Sequence, residues 1–280
     1  MRARAALYAA AAIAVLSVMD AVIKGVAQRF PTFEVTFFRY LVGSLAIVAV
    51  AAARRPGWPS REALRANLYR AVLVVVTATS FFYALGALPL AEVLALSFLA
   101  PVFIAVFAVL ALRERIDARV AAALAFGFAG MAVIVAGQPQ GAFDGSLWGV
   151  AAVLLSTVTY ALSMVLLRAR AQRDDAVTIV AIQNLAPALM LAGPAAVVWV
   201  APTASDWPAL VAIGALGVAG HLLMVAAYAR AEAARLAPIE YTALVWAALL
   251  GYAFYAETPT PATFAGAGLI IAGAFAVTRR

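Results

Sequence analysis

The sequence predicts an all-α integral membrane protein, with ten transmembrane helices arranged as two inverted five-helix repeats. Three observations lead to this prediction: the composition, the number of long apolar runs, and a similarity between the two halves of the chain. Of the 280 residues, 66% are apolar and only 12% are charged, and the mean hydropathy is +1.01. Soluble domains contain about 45–50% apolar and about 25% charged residues. The composition therefore excludes a soluble enzyme and a disordered chain.

The same composition limits the cofactors. The chain has no cysteine and one histidine, His221, so Cys-ligated and multi-His metal sites are excluded. It also lacks a Walker motif and a phosphate-binding glycine loop, which excludes ATP hydrolysis by this chain alone. We expect no cofactor and no metal.

Ten apolar runs are each long enough to cross a bilayer, which takes about 20 residues. Short connections rich in Pro, Gly and polar residues separate them, and they leave no room for a soluble domain. The first run follows two arginines, but we interpret it as a mature helix and not as a cleaved signal peptide, since nine spans would break the repeat. The runs cover residues 5–23, 33–53, 67–87, 90–111, 118–137, 147–167, 177–200, 208–229, 237–256 and 261–278.

The basic residues predict the orientation. With the N-terminus inside, 17 arginines, Arg70 among them, fall in inside segments, and only Lys24 and Arg29 fall outside. Because cytoplasmic loops carry an excess of Lys and Arg, both termini are expected in the cytoplasm. The net charge of +7 is scattered between apolar runs, so we expect the lipid bilayer and not a nucleic acid as the partner of the chain.

The two halves resemble each other at an offset of about 143–146 residues. Residues 112–115 (LRER) align with 255–258 (YAET), and Tyr83 aligns with Tyr228. We predict a first repeat over 1–137, a linker over 138–146 and a second repeat over 147–280. Five spans per repeat force the second repeat to enter the membrane upside down. Such repeats place a binding site near the midplane and support alternating access, although a duplication kept only for packing is the alternative.

Two segments carry a family resemblance. Residues 88–101 (LPLAEVLALSFLAP) lead to residues 112–115, and residues 236–242 (LAPIEYT) are the counterpart in the second half. With the ten spans, they resemble the EamA family of the drug/metabolite transporter superfamily, with the YddG-type amino-acid exporters as the nearest relatives. The resemblance implies a secondary transporter that exports small metabolites across the bacterial inner membrane. It is not an enzyme.

The resemblance is specific for the family and not for the substrate. Amino acids, with broad specificity, are our first expectation. A carrier of riboflavin, S-adenosylmethionine or a cationic drug is the alternative, and an intramembrane enzyme is the least favoured one because no catalytic motif supports it.

Charged residues within or beside the spans are candidates for gating or coupling, because charges inside a membrane are costly. Asp20, Lys24 and Arg39 lie towards the outer ends of the first two spans, where they form either a structural cluster or an outer gate. Glu92 and Glu240 lie near the starts of the fourth and ninth spans. A carboxylate there is stabilised by the helix dipole, or it faces the cavity and binds a substrate amine or a proton.

Polar and aromatic residues on several spans predict an amphipathic central cavity. The alternative for each of them is hydrogen bonding between helices. His221, in the middle of the eighth span, either relays protons or only joins neighbouring helices. The candidates for substrate binding are Thr79, Tyr83, Phe98, Tyr160, Ser163, His221, Tyr241 and Trp246.

Small residues predict close helix packing in the fifth and tenth spans. Gly127 and Gly130 lie in the fifth, and Gly266, Gly268 and Gly273 lie in the tenth. The packing either joins the two halves or forms a homodimer.

Overall fold

The computed structural model of the chain describes residues 2–87, 96–137, 147–256 and 260–278, and these residues are helical throughout apart from turns and connections. The chain folds as the predicted all-α membrane protein. Helices in lipid satisfy every backbone hydrogen bond within one segment, which is why long Ala-, Val- and Leu-rich runs form them. The helices are α1 (Arg2–Val26), α2 (Thr32–Arg54), α3 (Arg61–Ala87), α4 (Ala100–Leu112), α5 (Ala118–Ala136), α6 (Leu147–Ala171), α7 (Ala176–Val197), α8 (Trp207–Tyr228), the short α9 (Ala233–Leu236), α10 (Thr242–Tyr255) and α11 (Pro261–Thr278).

Seven segments in the described ranges are long and apolar enough to cross a membrane. Six are α1, α2, α3, α6, α7 and α8, and the seventh runs from Ala233 to Tyr255 through α9 and α10. Helices α4, α5 and α11 are apolar but shorter. Together they account for the ten predicted spans.

Helices of one half pack on helices of the other half in a symmetric pattern. The first helix of one half packs on the third helix of the other, so that α1 lies against α8 and α3 lies against α6. The two second helices, α2 and α7, pack on each other, and so do the two fifth helices, α5 and α11. The core therefore lies between the halves, where side chains of both meet.

The ninth span differs from the prediction. We expected one continuous helix over 237–256, but residues Ala237–Tyr241 form a 3-10 turn between α9 and α10. Pro238 lies at the start of this turn, and proline cannot donate the backbone hydrogen bond that an α-helix needs. In the fourth span, likewise, α4 begins only at Ala100 with Pro101 in its first turn.

Glycines allow a close helix crossing between α5 and α11. A Cβ atom on Gly130 would lie 2.6 Å from the carbonyl oxygen of Gly266, whereas one on Gly268 would meet nothing within 4 Å. The predicted glycine packing thus joins the two halves of one chain. The homodimer stays a prediction.

Candidate functional site

Seven polar side chains from five helices and the 3-10 turn meet inside the bundle. Hydrogen bonds and electrostatic interactions connect them, and we call them the interior polar cluster. Ionisable groups inside a membrane protein are costly, and they mark functional pathways. The members are Asp20 on α1, Arg39 on α2, Arg70 on α3, Tyr160 on α6, His221 and Tyr228 on α8, and Glu240 on the 3-10 turn.

Glu240 is held by a tyrosine. The hydroxyl of Tyr228 donates to Glu240 Oε1 over 3.2 Å, and Tyr160 is a second tyrosine near the same carboxylate. Because the 3-10 turn carries Glu240, the helix break places a carboxylate beside side chains of α6 and α8. Discontinuous helices form the binding sites of many transporters with inverted repeats.

Asp20 and Arg39 form a second group. Asp20 lies on α1, and its side chain is accessible. Arg39 acts on it electrostatically and covers the ring of Tyr40, with its guanidinium carbon 4.4 Å from the ring centroid. Arg39 Nε also contacts the sulfur of Met19 over 3.3 Å. The structure thus brings together two residues predicted for gating.

His221 lies in α8, near two of the arginines of the cluster. Its Nδ1 atom donates to the carbonyl oxygen of Gly217, one turn earlier in α8, over 2.7 Å. Both Arg39 and Arg70 act on the imidazole electrostatically. The single histidine therefore lies beside charged members of the interior polar cluster, and its role, as a proton relay or as a contact between helices, stays a prediction.

Arg70 was missed as a site residue by sequence reasoning, which counted it with the inside arginines. It lies nine residues into α3 and is only 1% exposed. Its Nε atom donates to the carbonyl oxygen of Ser163 over 3.2 Å, while Nη1 and Nη2 have no hydrogen-bond partner among the described residues. The signal was present, because the predicted span 67–87 already contained this arginine.

Phe98 and Tyr241, two predicted cavity residues, stack on each other. Their ring centroids lie 6.2 Å apart with an interplanar angle of 20°. They are 143 residues apart, the offset of the repeat, and each lies just before the helix that follows a break. The Tyr241 ring also packs on Gly127 of α5, where a Cβ atom would overlap it. The pair therefore joins the equivalent breaks of the two halves.

The other predicted residues are spread over the molecule. Trp246 packs against the main hydrophobic core. Thr79 and Tyr83 lie away from the cluster contacts, in a shallow groove of about 370 Å³ that Trp148 and Leu155 also line. The Nζ atom of Lys24 lies 4.7 Å from the ring centroid of Tyr255. Glu92 lies outside the described residues.

Ion pairs join neighbouring helices at one end of the bundle, which we call the basic end. Glu114 follows α4 and accepts from Arg168 Nε at 3.2 Å and from the backbone N–H of Ala234 at 3.0 Å. Arg168 also donates to the carbonyl oxygen of Tyr228 at 2.5 Å. Since the Tyr228 hydroxyl binds Glu240, Tyr228 connects the basic end with the interior polar cluster.

At the same end, Arg170 forms a bidentate pair with Asp174, at 2.7 and 2.6 Å, and contacts Glu62 at 2.5 Å. The opposite end carries a more exposed pair, in which Arg29 contacts Asp206 at 2.7 Å. The hydrogen bond of Thr203 to the Asp206 carboxylate and the nearby Arg29 lower the pKa of Asp206 below its ordinary value. The carboxylate of Asp206 therefore stays ionised at neutral pH.

Comparison with known proteins identifies the family. The sequence profile of the EamA-like transporter family matches residues 3–136 and again residues 147–279. The pseudopaline exporter CntI of Pseudomonas aeruginosa is 32% identical over 270 residues, which cover 94% of this chain and 92% of that protein. An S-adenosylmethionine uptake transporter of Rickettsia bellii is 24% identical over 91% of this chain and 86% of that protein.

Two further comparisons agree. A riboflavin transporter of Rhizobium johnstonii is 28% identical over 89% of this chain and 82% of that protein. A solved crystal structure superposes with a TM-score of 0.81 at 22% identity, covering 98% of this chain and 95% of the other, and shows the same fold. The chain therefore belongs to the EamA-like transporter family, and it is a multi-pass membrane protein that transports small metabolites.

Proposed function

We propose that this protein exports a small, amino-acid-like metabolite from the bacterial cytoplasm, by alternating access of its two repeats (1–137 and 147–280). The observation that carries the proposal is the interior polar cluster, which offers charges of both signs beside tyrosine rings. Carboxylates suit an ammonium group and guanidinium groups suit a carboxylate. Tyrosines cover an apolar side chain while presenting a polar tip.

The direction rests on two supports. The 32% identical relative is named as an exporter, and the predicted excess of arginines supports a cytoplasmic position for the basic end of the bundle. In this orientation both termini are cytoplasmic, the protein lies in the inner membrane, and Glu114 and Arg168 close the cytoplasmic side. Asp20 and Arg39 then lie towards the outer side.

Counterflow in proteoliposomes tests the substrate. Liposomes loaded with one unlabelled amino acid receive the same labelled compound outside, for phenylalanine, lysine and glutamate in turn, with and without a pH gradient. We expect saturable uptake above that of empty liposomes, and at least a tenfold reduction for Glu240→Gln. Glu232→Gln is the matched control, since Glu232 pairs with Arg235 at 2.7 Å near the basic end. No counterflow of any amino acid would refute amino-acid transport.

Riboflavin and S-adenosylmethionine are tested in the same vesicles, because relatives at 28% and 24% identity are named as their transporters. Counterflow of one of these compounds without any amino acid would make this second candidate the function.

Single cysteines test the orientation, since the natural chain has none. Gly57→Cys lies in the connection between α2 and α3 at the basic end, with open space around its Cβ atom, and Gln28→Cys lies exposed at the opposite end. In intact cells, a membrane-impermeant maleimide is expected to label only Gln28→Cys. Labelling of only Gly57→Cys would show that the topology is the opposite of the proposed one.

A further inference from the structure

Two opposite charges of the interior polar cluster, Arg70 and Glu240, do not form an ion pair with each other. Arg70 and Glu240 carry opposite charges, and each has Tyr160 and Tyr228 as neighbours. Among the described residues, however, the groups that interact with Arg70 electrostatically are tyrosines and His221, and Arg70 forms no ion pair with a carboxylate. Glu240 in turn accepts from the Tyr228 hydroxyl, and no guanidinium among the described residues pairs with it.

The position of Arg70 makes this arrangement unusual. A buried guanidinium normally satisfies its donors, and leaving them unpaired is costly. Here Nε alone binds a carbonyl oxygen, while the two terminal nitrogens, the fork that recognises a carboxylate, have no partner among the described residues. The fork is the part of arginine that binds two oxygens of one anion at once.

We propose that Arg70 is the anion-binding residue of the transport site and that it binds a carboxylate group of the transported metabolite. This inference rests on the proposed transport function and narrows it, because it requires a substrate with a carboxylate. Glu240, which shares both tyrosine neighbours with Arg70, then faces the ammonium group of a zwitterionic substrate. Since Arg70 is occluded in this conformation, the carboxylate reaches it when the two repeats move relative to each other.

Three matched compounds separate the contributions of the two charges. Phenylalanine carries both groups, 3-phenylpropionate carries only the carboxylate, and 2-phenylethylamine carries only the ammonium. Binding is measured by the shift of the thermal unfolding midpoint, and transport by counterflow. The variants are Arg70→Gln, Arg70→Lys and, as a control that removes an exposed arginine, Arg115→Gln.

We expect the unsubstituted protein to bind phenylalanine and 3-phenylpropionate at least tenfold more tightly than 2-phenylethylamine. Arg70→Gln is expected to weaken the binding of both carboxylates at least tenfold and to leave the binding of the amine unchanged. Arg70→Lys keeps the charge without the planar fork, so an intermediate loss is expected. This variant also covers the case in which Arg70→Gln does not fold, and Arg115→Gln is expected to match the unsubstituted protein.

Other results overturn the inference. A loss that is equal for all three compounds would make Arg70 a structural or gating residue, and a preference for the amine, or binding of none of the compounds, would also refute it. Failure of the proposed function can be distinguished from failure of this inference. If the carboxylates bind in an Arg70-dependent way but none is transported, the anion site is confirmed and amino-acid export is refuted.

Discussion

Alanine at Gly130 tests the helix crossing that joins the two halves. A Cβ atom there would lie 2.6 Å from the carbonyl oxygen of Gly266 and 2.7 Å from Ile270 Cγ1. Both distances are far below the 3.4 Å at which ordinary van der Waals contact begins. The nearest obstacle is backbone and cannot rotate away, so the substitution must push α5 and α11 apart.

Two opposing effects set the magnitude. Replacing glycine by alanine in a helix favours folding by about 0.5–1 kcal/mol. Overpacking a tight contact typically costs about 1–3 kcal/mol, and a rigid backbone obstacle places Gly130→Ala in the upper part of that range. We therefore expect a net loss of about 1–2 kcal/mol. Gly268→Ala, on α11 but facing open space, is expected to be neutral or slightly stabilising.

The assay is thermal unfolding in one detergent, followed by tryptophan fluorescence. Unfolding of membrane proteins is often irreversible, so midpoints are compared at one fixed scan rate. We expect the midpoint of Gly130→Ala to lie below that of Gly268→Ala. If Gly130→Ala is as stable as Gly268→Ala, the two helices do not cross at this point and the packing described above is wrong.

Two further predictions concern the basic end. Glu114→Gln removes the charge that holds Arg168, so the basic end should open more often. The buried position Ala237 reports this opening. In the Glu114→Gln protein, Ala237→Cys should react several-fold faster with a thiol reagent than Ala237→Cys does in a protein that keeps Glu114. Asp117→Ala removes the carboxylate that accepts from Arg119 N and Val120 N, at 3.1 and 2.9 Å. It should lower the free energy of unfolding by about 1 kcal/mol, as measured by denaturant titration at pH 7.

The Asp117 prediction also has a pH dependence. The Val120 N–H hydrogen bond, and then the nearby Arg235, lower the pKa of Asp117 in the folded protein below its ordinary value. A lowered pKa gives a contribution that is fully present above the unfolded-state pKa of about 3.9 and is lost as the pH falls through the folded-state pKa. The difference between Asp117→Ala and the unsubstituted protein should therefore shrink in that acidic range. A difference that stays constant there would show that the ionised carboxylate does not stabilise the start of α5.

Controls separate charge from shape. Asp117→Asn keeps an oxygen acceptor at the start of α5, so it should retain most of the stability. Glu62→Gln removes a carboxylate that is 72% exposed and should not change the labelling of the introduced cysteine. Equal labelling in Glu114→Gln and Glu62→Gln would show that Glu114 does not keep the basic end closed.

Much of the fold could be predicted from sequence, because the membrane acts through composition and length. Apolar runs of about 20 residues must become helices in lipid, so ten runs predicted ten spans. The break at Ala237–Tyr241 was missed although Pro238 stands in the sequence. Proline is tolerated inside α7, at Pro187 and Pro194, so its presence alone does not decide where a helix breaks.

The site was predictable only in part. Asp20, Arg39, Tyr160, His221 and Glu240 were selected because polar groups in apolar runs are conspicuous, and the structure brings them together in the interior polar cluster. Their roles in binding and gating stay predictions. Thr79 and Tyr83 were selected by the same rule, but they lie in a separate shallow groove, since spacing along one helix does not tell which face meets lipid and which meets protein.

The sequence by itself determined the solvent of this protein, the number of its spans and its family, since these depend on composition, length and motifs along the chain. Tertiary structure decided which charges meet. Arg70, counted from sequence with the inside arginines, becomes a buried cation beside Tyr160 and Tyr228 only because α3 packs on α6 and the broken span brings Glu240 to the same tyrosines. Electrostatic interactions depend on distances across the fold, and residues more than a hundred positions apart acquire those distances only when the two halves pack together.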